Sequence, residues 1–398
     1  MSGTYLSKTV QELKPSGIRR FFDLAASMDD VISLGVGEPD FVTPWSVCEA
    51  SIQSLEDGFT AYTANAGLLE LREAISQYLL QSYGVQYSAQ EEILVTVGAS
   101  QALDLALRAI VDPGDEVIIV EPSFVSYGSL VSLAGGKPVS VATTSENEFK
   151  LQPEQIEEAV TERTKGIMLC TPNNPTGSIL NKEELSAIAE IVEKYDLVVI
   201  SDEIYSELSY DDPHCSFSSL PRMFERTILI NGFSKGFAMT GWRLGYAAAP
   251  AEILQSMLKI HQYAMMCAPT MAQHGALEAL RHGQEDVEKM RRDYYRRRNY
   301  FVNSLNEIGM DCHMPGGAFY AFPSIKQTGM TSEEFAENLL KEERVAVVPG
   351  NVFGAGGEGH LRCSYASSIE QLQEAIKRMG RFMEKINVKP TIKAKTGS

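Results

Sequence analysis

The apolar run Ile228-Leu229-Ile230 leads through Asn231-Gly232-Phe233-Ser234 to a single lysine, Lys235, and Gly241-Trp242-Arg243-Leu244-Gly245 then sets an arginine between glycines. An ammonium held at the end of a buried strand loses hydration and with it basicity, which turns a lysine towards nucleophilicity. A lysine after a strand is ordinarily a solvated turn residue, so its company decides. Gly98-Ala99-Ser100 opens a helical pattern and offers free backbone N–H groups, a hydroxyl and the positive end of a helix dipole, a seat for a phosphate. Ser234 and Arg243 can donate to the same anion. Asp202 ends an apolar strand and needs a cation beside it to stay ionised there. Tyr205, and Asn174 in a turn stiffened by Pro172 and Pro175, can each hydrogen-bond one oxygen. Phe124, after Pro122, can stack on a flat ring.

The elements that must position these residues repeat one theme: apolar strand, turn, amphipathic helix. Strands are predicted over 92–97, 116–120, 166–170, 197–201 and 227–230, each a nearly continuous apolar run. Helical spacing recurs over 43–55 and 67–83, and after Ser100, where Leu103, Ala106, Leu107 and Ile110 share one face while Asp104 and Arg108 pair on the other. Asn181 with Glu184 reads as a capping box. Such strands alternating with helices predict a mainly parallel sheet covered on both faces, in an α/β fold. The polar residues above all follow strands, where open α/β sheets place ligands. Beyond a long helix over 285–308 the texture changes. Strands over 316–322, 345–348 and 361–365, a capping box at Thr331 and Glu334, and a closing helix over 369–386 predict a smaller α+β domain. The expected division is a large domain over 39–285 and a small one from 1–38, the N-terminal arm, with 286–398. The tail from Pro390 is expected to fray.

Bulk properties narrow the function further. With 398 residues, 44% hydrophobic and 22% charged, the chain reads as an ordinary globular protein of one or two domains. A net charge of -17 opposes nucleic acid or an anionic membrane as partner. Six scattered cysteines without a C-x-x-C pair suit reduced thiols in the cytoplasm. Neither a signal-like start nor an apolar run near ~18 residues occurs, so a soluble cytoplasmic protein is expected. The histidines lack metal-ligand spacing, and no metal site is expected. Gly354-Ala355-Gly356-Gly357-Glu358-Gly359 matches G-x-G-x-x-G, but in a loop before a strand it lacks the context of a dinucleotide site. The run Arg291–Arg298 reads as a solvated helix face with its tyrosines turned inward.

A phosphate seat, an aldehyde-ready lysine, a carboxylate for a ring nitrogen, donors for a phenolic oxygen and a stacking aromatic together describe pyridoxal 5'-phosphate (PLP). At these residues the chain resembles the fold-type I PLP-dependent aminotransferases, in the bacterial class I aspartate/aromatic branch. The resemblance runs from Ser16-Gly17-Ile18-Arg19 to the final helix. It is most specific at Asn174-Pro175-Thr176-Gly177, Asp202-Glu203-Ile204-Tyr205 and the Ser234-Lys235 to Gly245 block.

The resemblance implies that Lys235 holds the cofactor as an internal aldimine and later acts as general base. It implies that Asp202 pairs with the ring nitrogen, that Tyr205 and Asn174 bond the phenolic oxygen, and that Phe124 stacks on the ring. Ala99, Ser100, Ser234 and Arg243 are expected to hold the phosphate. Tyr62 matches a tyrosine that reaches the phosphate of a neighbouring subunit, which implies a homodimer with shared sites. Arg362 matches the clamp for the substrate α-carboxylate, helped by Gly37 and Asn174. A ping-pong exchange between an L-amino acid (aromatic, aspartate or similar) and a 2-oxo acid such as 2-oxoglutarate follows. Two positions depart from the family. Gly232 stands where many relatives carry a Ser or Thr phosphate donor, and Ser100 where some aspartate-specific relatives carry a lysine for the distal carboxylate. The small, apolar arm at Ser16, Gly17 and Ile18 would tolerate aromatic or aliphatic side chains. The same anchors also serve a PLP-dependent β-lyase or decarboxylase, and a PLP-sensing module is the non-enzymatic alternative.

Overall fold

Two residues of the N-terminal arm form strand β1 (Ile32–Ser33), which pairs far downstream, while the next seven strands build one sheet. These are β2 (Ile93–Thr96), β3 (Glu116–Glu121), β4 (Lys137–Ala142), β5 (Thr164–Cys170), β6 (Val198–Asp202), β7 (Thr227–Gly232) and β8 (Gly245–Ala248). This is a computed structural model, and it describes residues 5–13, 17, 26 and 28–386. The strand order is β2-β8-β7-β6-β5-β3-β4, and only β8 runs against both of its neighbours. The apolar runs make the interior strands. On one face Ile119, Met168, Ile200 and Ile230 pack against Leu103 and Leu107 of the helix Ala99–Ile110. On the other, Ile118, Ile167 and Val199 meet Leu185, Ile188 and Val192 of the helix Lys182–Lys194. That helix opens on the capping box of Asn181 and Glu184, each bonding the other's backbone N–H at 2.7–2.8 Å. The α/β fold is thus the one that the strand–helix alternation predicts.

Two strands of this sheet carry no strong sequence signal. In β8, Gly-Tyr-Ala-Ala lacks the β-branched residues that mark a strand. In β4, an edge strand, Pro138 and exposed residues break the apolar run. The parallel strands point their carboxyl ends one way, and the start of β8 joins them there.

The C-terminal part differs from expectation in three places. The predicted strand over 316–322 shrinks to β9 (Tyr320–Ala321). A Cβ on Gly317 would lie 2.5 Å from Pro172 Cγ, and Ala318 turns to φ 58°; close packing against the loop after β5 replaces the ladder. The run over 345–348 breaks at Val347 into β10 (Val345–Ala346), parallel to β1, and β11 (Val348–Pro349), antiparallel to β12 (Leu361–Ser364), which also pairs with β9. In the long helix Gln284–Glu307 Tyr294 is buried as expected, but Tyr295 is partly exposed and Arg298 is buried. Arg298 forks onto Asp211 at 2.6 and 3.2 Å and donates to the Pro315 carbonyl, which satisfies the charge away from water.

The junction of β1 positions the site. The Leu34 N–H donates to Ala346, and the Leu34 carbonyl accepts from Ser364 N–H at 2.7 Å. This carries the following residues, 35–38, past β12 and over the ends of the large sheet. Ser16 and Ile18 of the arm, and the tail from Pro390, lie outside the described residues. Among the described residues no helix is long and apolar enough to cross a membrane.

Candidate active site

A cavity of about 730 Å³ opens where the carboxyl ends of β5, β6 and β7 meet the start of the helix Ala99–Ile110. Asn174, Asp202, Tyr205, Ser234 and Lys235 reach it from the strand ends; Ala99 and Ser100 from the helix; Arg243 from the turn before β8. Phe124, Gly37 and Arg362 complete the wall. The structure therefore brings together every expected cofactor- or substrate-binding residue except Tyr62, which lies on the surface with 77% of its area exposed.

Lys235 and Asp202 carry the electrostatics. The Lys235 ammonium donates to the Gly37 carbonyl at 2.6 Å and lies 5.9 Å from the ring centres of Tyr205 and Phe319. Burial lowers its pKa to about 8 against the attraction of Glu38, with Arg362 and Arg243 adding to the fall. Asp202 is 5% exposed, and both its bonded partners are neutral donors, the Tyr127 hydroxyl at 2.6 Å and the Ile204 N–H at 3.3 Å. Burial pushes its pKa up to about 6, opposed by those two bonds. A buried carboxylate held by neutral donors suits a protonated ring nitrogen, which would restore its charge.

The end around Arg362 is more tightly bonded. Arg362, at the centre of this part, is 3% exposed. It donates through Nη1 to Asn174 Oδ1 at 3.0 Å and through Nη2 to the Gly35 carbonyl at 2.7 Å. Its Nε is buried with no protein partner, an unsatisfied donor on an otherwise bonded guanidinium. The guanidinium lies 4.6 Å over the Tyr320 ring and 4.9 Å from that of Phe353. Tyr205 and Tyr320 join their hydroxyls at 2.9 Å, and burial raises the Tyr205 phenol well above its ordinary value.

The expected phosphate seat rests on close backbone approach. Gly98 has φ 78° and precedes the helix without a side-chain cap, which leaves the first N–H groups free. A Cβ there would stand 2.6 Å from Arg243 Nη2, so the guanidinium lies directly on the helix start. Arg243 is itself left-handed, with φ 54°, and braces Nη1 on the Thr240 carbonyl at 3.0 Å. The family departure at Gly232 has a steric cause. A Cβ at Gly232 would meet Gly245 Cα at 2.8 Å and the Leu244 carbonyl at 3.0 Å, so β8 fills the space that a Ser or Thr would need.

Among the wall residues that sequence reasoning missed are Tyr127, Tyr320, Glu38 and Thr240. Tyr127 follows Phe124 at a helical interval of three, a usable signal. Tyr320 sits in an apolar run that reads as plain core. Glu38 and Thr240 meet across the fold, with Thr240 donating to Glu38 at 3.1 Å, a contact that no local pattern announces.

The family described as aminotransferase class I and II matches residues 29–379. YugH of Bacillus subtilis is 66% identical over 382 residues, spanning 96% of this chain and 99% of its own. The aspartate aminotransferase of Pyrococcus abyssi is 49% identical over 381 residues, 95% of this chain and 98% of its own. Among solved structures, the aromatic aminotransferase from Pyrococcus horikoshii superposes with a TM-score of 0.88 at 47% identity, over 93% of this chain and 99% of that one.

Proposed function

The chain belongs to the class I and II aminotransferases, and from that premise we propose how its own residues serve the reaction. It uses pyridoxal 5'-phosphate to move an amino group between an amino acid and a 2-oxo acid. The cofactor supplies an aldehyde for an amine to capture and a ring that accepts the electron pair left at the substrate α-carbon. Lys235 provides the capturing amine and, when free, takes and returns the α-proton. Asp202, steadied by Tyr127, keeps the ring nitrogen protonated, and Tyr205 and Asn174 bond the phenolic oxygen. Phe124 stacks on the ring, while Ala99, Ser100, Ser234 and Arg243 hold the phosphate. Arg362 takes the α-carboxylate through its guanidinium, with Gly37 and Asn174 beside it.

One observation carries this assignment: a lysine of lowered basicity and a buried carboxylate with only neutral partners line the same cavity. Lys235→Ala tests it. Amino-group transfer should fall by at least the ~10²–10⁴-fold that a positioned general base contributes, with loss of the covalent cofactor absorbance. Retained turnover would remove Lys235 from the centre of the mechanism.

The same proposal extends to assembly and substrate. Val42, Trp45, Phe59, Tyr62 and Tyr263 are large apolar side chains more than half exposed, a surface suited to a second copy. A homodimer would bury them and bring Tyr62 to the phosphate seat of the partner. A holoenzyme that sediments as a single chain would exclude this. The domain reading, 39–285 against 1–38 with 286–398, is supported by the pairing of β1 with β10. The place of action is proposed to be the cytoplasm, from the reduced cysteines expected of the sequence. For substrates, Ser100 and the apolar wall at Val36, Leu103 and Ile204 favour an aromatic amino acid over a strict acidic preference, and 2-oxoglutarate is the acceptor that the family resemblance implies. Aspartate and phenylalanine, each supplied with 2-oxoglutarate, decide between them.

A further inference from the structure

We propose that Tyr320 is a positioning residue serving two parts of the site at once: its hydroxyl sets the direction of the Tyr205 proton, and its ring carries the Arg362 guanidinium. This rests on the assignment of Tyr205 and Arg362 made above.

The strand register places the ring. Tyr320 in β9 stands opposite Ser364 in β12, and Arg362, two residues before Ser364, projects from the same face as its diagonal neighbour. The guanidinium carbon accordingly lies 4.6 Å from the Tyr320 ring centre, within cation–π range. The hydroxyl is placed as tightly. Tyr320 is fully buried, its Oη lies 2.9 Å from Tyr205 Oη, and a Cβ on Gly37 would approach it to 2.8 Å. The glycine thus leaves room for that hydroxyl and for little else.

Either tyrosine could donate by distance alone, and the charge chooses. A cation over the Tyr320 ring draws electron density from the phenol and makes its O–H the better donor. Arg362 opposes the burial that raises both phenols, but of the two rings it lies over that of Tyr320. Tyr320 therefore donates and Tyr205 accepts, which leaves the Tyr205 proton free to point into the cavity, at the phenolic oxygen of the cofactor. A donor at that oxygen stabilises the more negative form of the bound chromophore and lowers the pH at which it takes up its proton.

Tyr320→Phe keeps the ring and removes the hydroxyl; Tyr320→Leu removes both. The absorbance of PLP-loaded protein is titrated with pH, and KM and kcat are measured for one amino acid. In Tyr320→Phe the chromophore midpoint should rise by up to about half a pH unit, because Tyr205 keeps its own bond but loses the hydroxyl that orients and polarises it, with KM within about twofold of wild type. Tyr320→Leu should show the same rise and about a thirtyfold higher KM, the size of a lost desolvated cation–π contact. If Tyr320→Leu does not fold, Tyr320→Met takes its place. A midpoint in Tyr320→Phe equal to wild type overturns the role of the hydroxyl, and equal KM in both variants overturns that of the ring. Wild-type protein lacking a chromophore that Lys235→Ala abolishes would instead overturn the parent assignment; with that chromophore present, a null result falls on Tyr320 alone.

Discussion

The two ends of the cavity solve opposite problems. At the phosphate end the chain supplies donors and leaves them free: unbonded N–H groups after Gly98, the exposed Ser100 hydroxyl, and Arg243 laid on the helix start by glycine-thin contacts. At the carboxylate end the side chains are buried and bonded to one another, Arg362 to Asn174 and Gly35, Tyr205 to Tyr320. A dianion arriving at the first end finds a seat with nothing to displace. At the second, the side chains hold one another in place, so geometry is fixed before substrate arrives. Losses at the second end should therefore be cooperative, and losses at the first should subtract single contacts.

Arg362→Ala breaks the bonded end most severely. It strands the Asn174 side-chain oxygen and the Gly35 carbonyl in a buried site and removes the carboxylate clamp. Truncating one member of such a buried pair costs about 2–5 kcal/mol, so kcat/KM should fall by roughly 30- to 4,000-fold for every amino acid, whatever its side chain. A loss confined to acidic substrates would assign Arg362 to the side chain instead. Arg362→Lys should rescue little, because an ammonium cannot reproduce the planar fork.

Lys235 stands between the two ends, and its titration sharpens the contrast. With a pKa of about 8, roughly a tenth of its amines are neutral at pH 7, against about four in ten thousand for an ordinary lysine near 10.4. Capture of PLP by the cofactor-free protein, divided by capture by a free ε-amine at the same pH, should exceed a simple amine by about two orders of magnitude at pH 7. That ratio should shrink above pH 8 as the free amine catches up, and level off near its own pKa. Taking the ratio cancels the cofactor's own titrations. A ratio flat from pH 7 to 10 would mean that Lys235 has ordinary basicity. The sign for stability follows from the same shift. Between about pH 8 and 10 the unfolded chain binds the extra proton, so this group makes the cofactor-free protein more stable as pH rises through that window.

Much of this site is legible in the sequence because its residues are tied to strand ends, and strand ends are marked by apolar runs stopping at a polar residue. Lys235, Asp202 and Asn174 are found that way. The alternation of runs with helices gives the central sheet, except where a strand is made of small residues, as in β8, or is an edge, as in β4. What local pattern does not carry is contact across the fold. Tyr320 reads as core until Arg362 and Tyr205 are seen around it. Arg298 reads as a surface charge until Asp211 and the Pro315 carbonyl receive it. The residues of 35–38 look like a simple turn, yet they brace both Arg362 and Lys235 because β1 pairs with β10.

Gly232 is where family pattern and local packing conflict most directly, and it yields the smallest of the expected effects. From pattern alone, Gly232→Ser restores a hydroxyl that relatives aim at the phosphate, and cofactor affinity should improve. From packing, a Cβ there meets Gly245 Cα at 2.8 Å and the Leu244 carbonyl at 3.0 Å, and neither is the tip of a flexible side chain. The strand pair β7–β8 would have to part, and β8 follows directly on the turn that holds Arg243 and packs Gly245 against the Ala99 N–H, which a Cβ on Gly245 would approach to 2.5 Å. Overpacking of this kind costs about 1–3 kcal/mol. Gly232→Ser should therefore lower the thermal midpoint of the cofactor-free protein and leave PLP affinity unchanged or weaker, since any shift of β8 moves the arginine of the seat. Tighter PLP binding with an unchanged midpoint would show that the sheet yields at this point, and that the missing donor reflects the history of the family rather than a want of space.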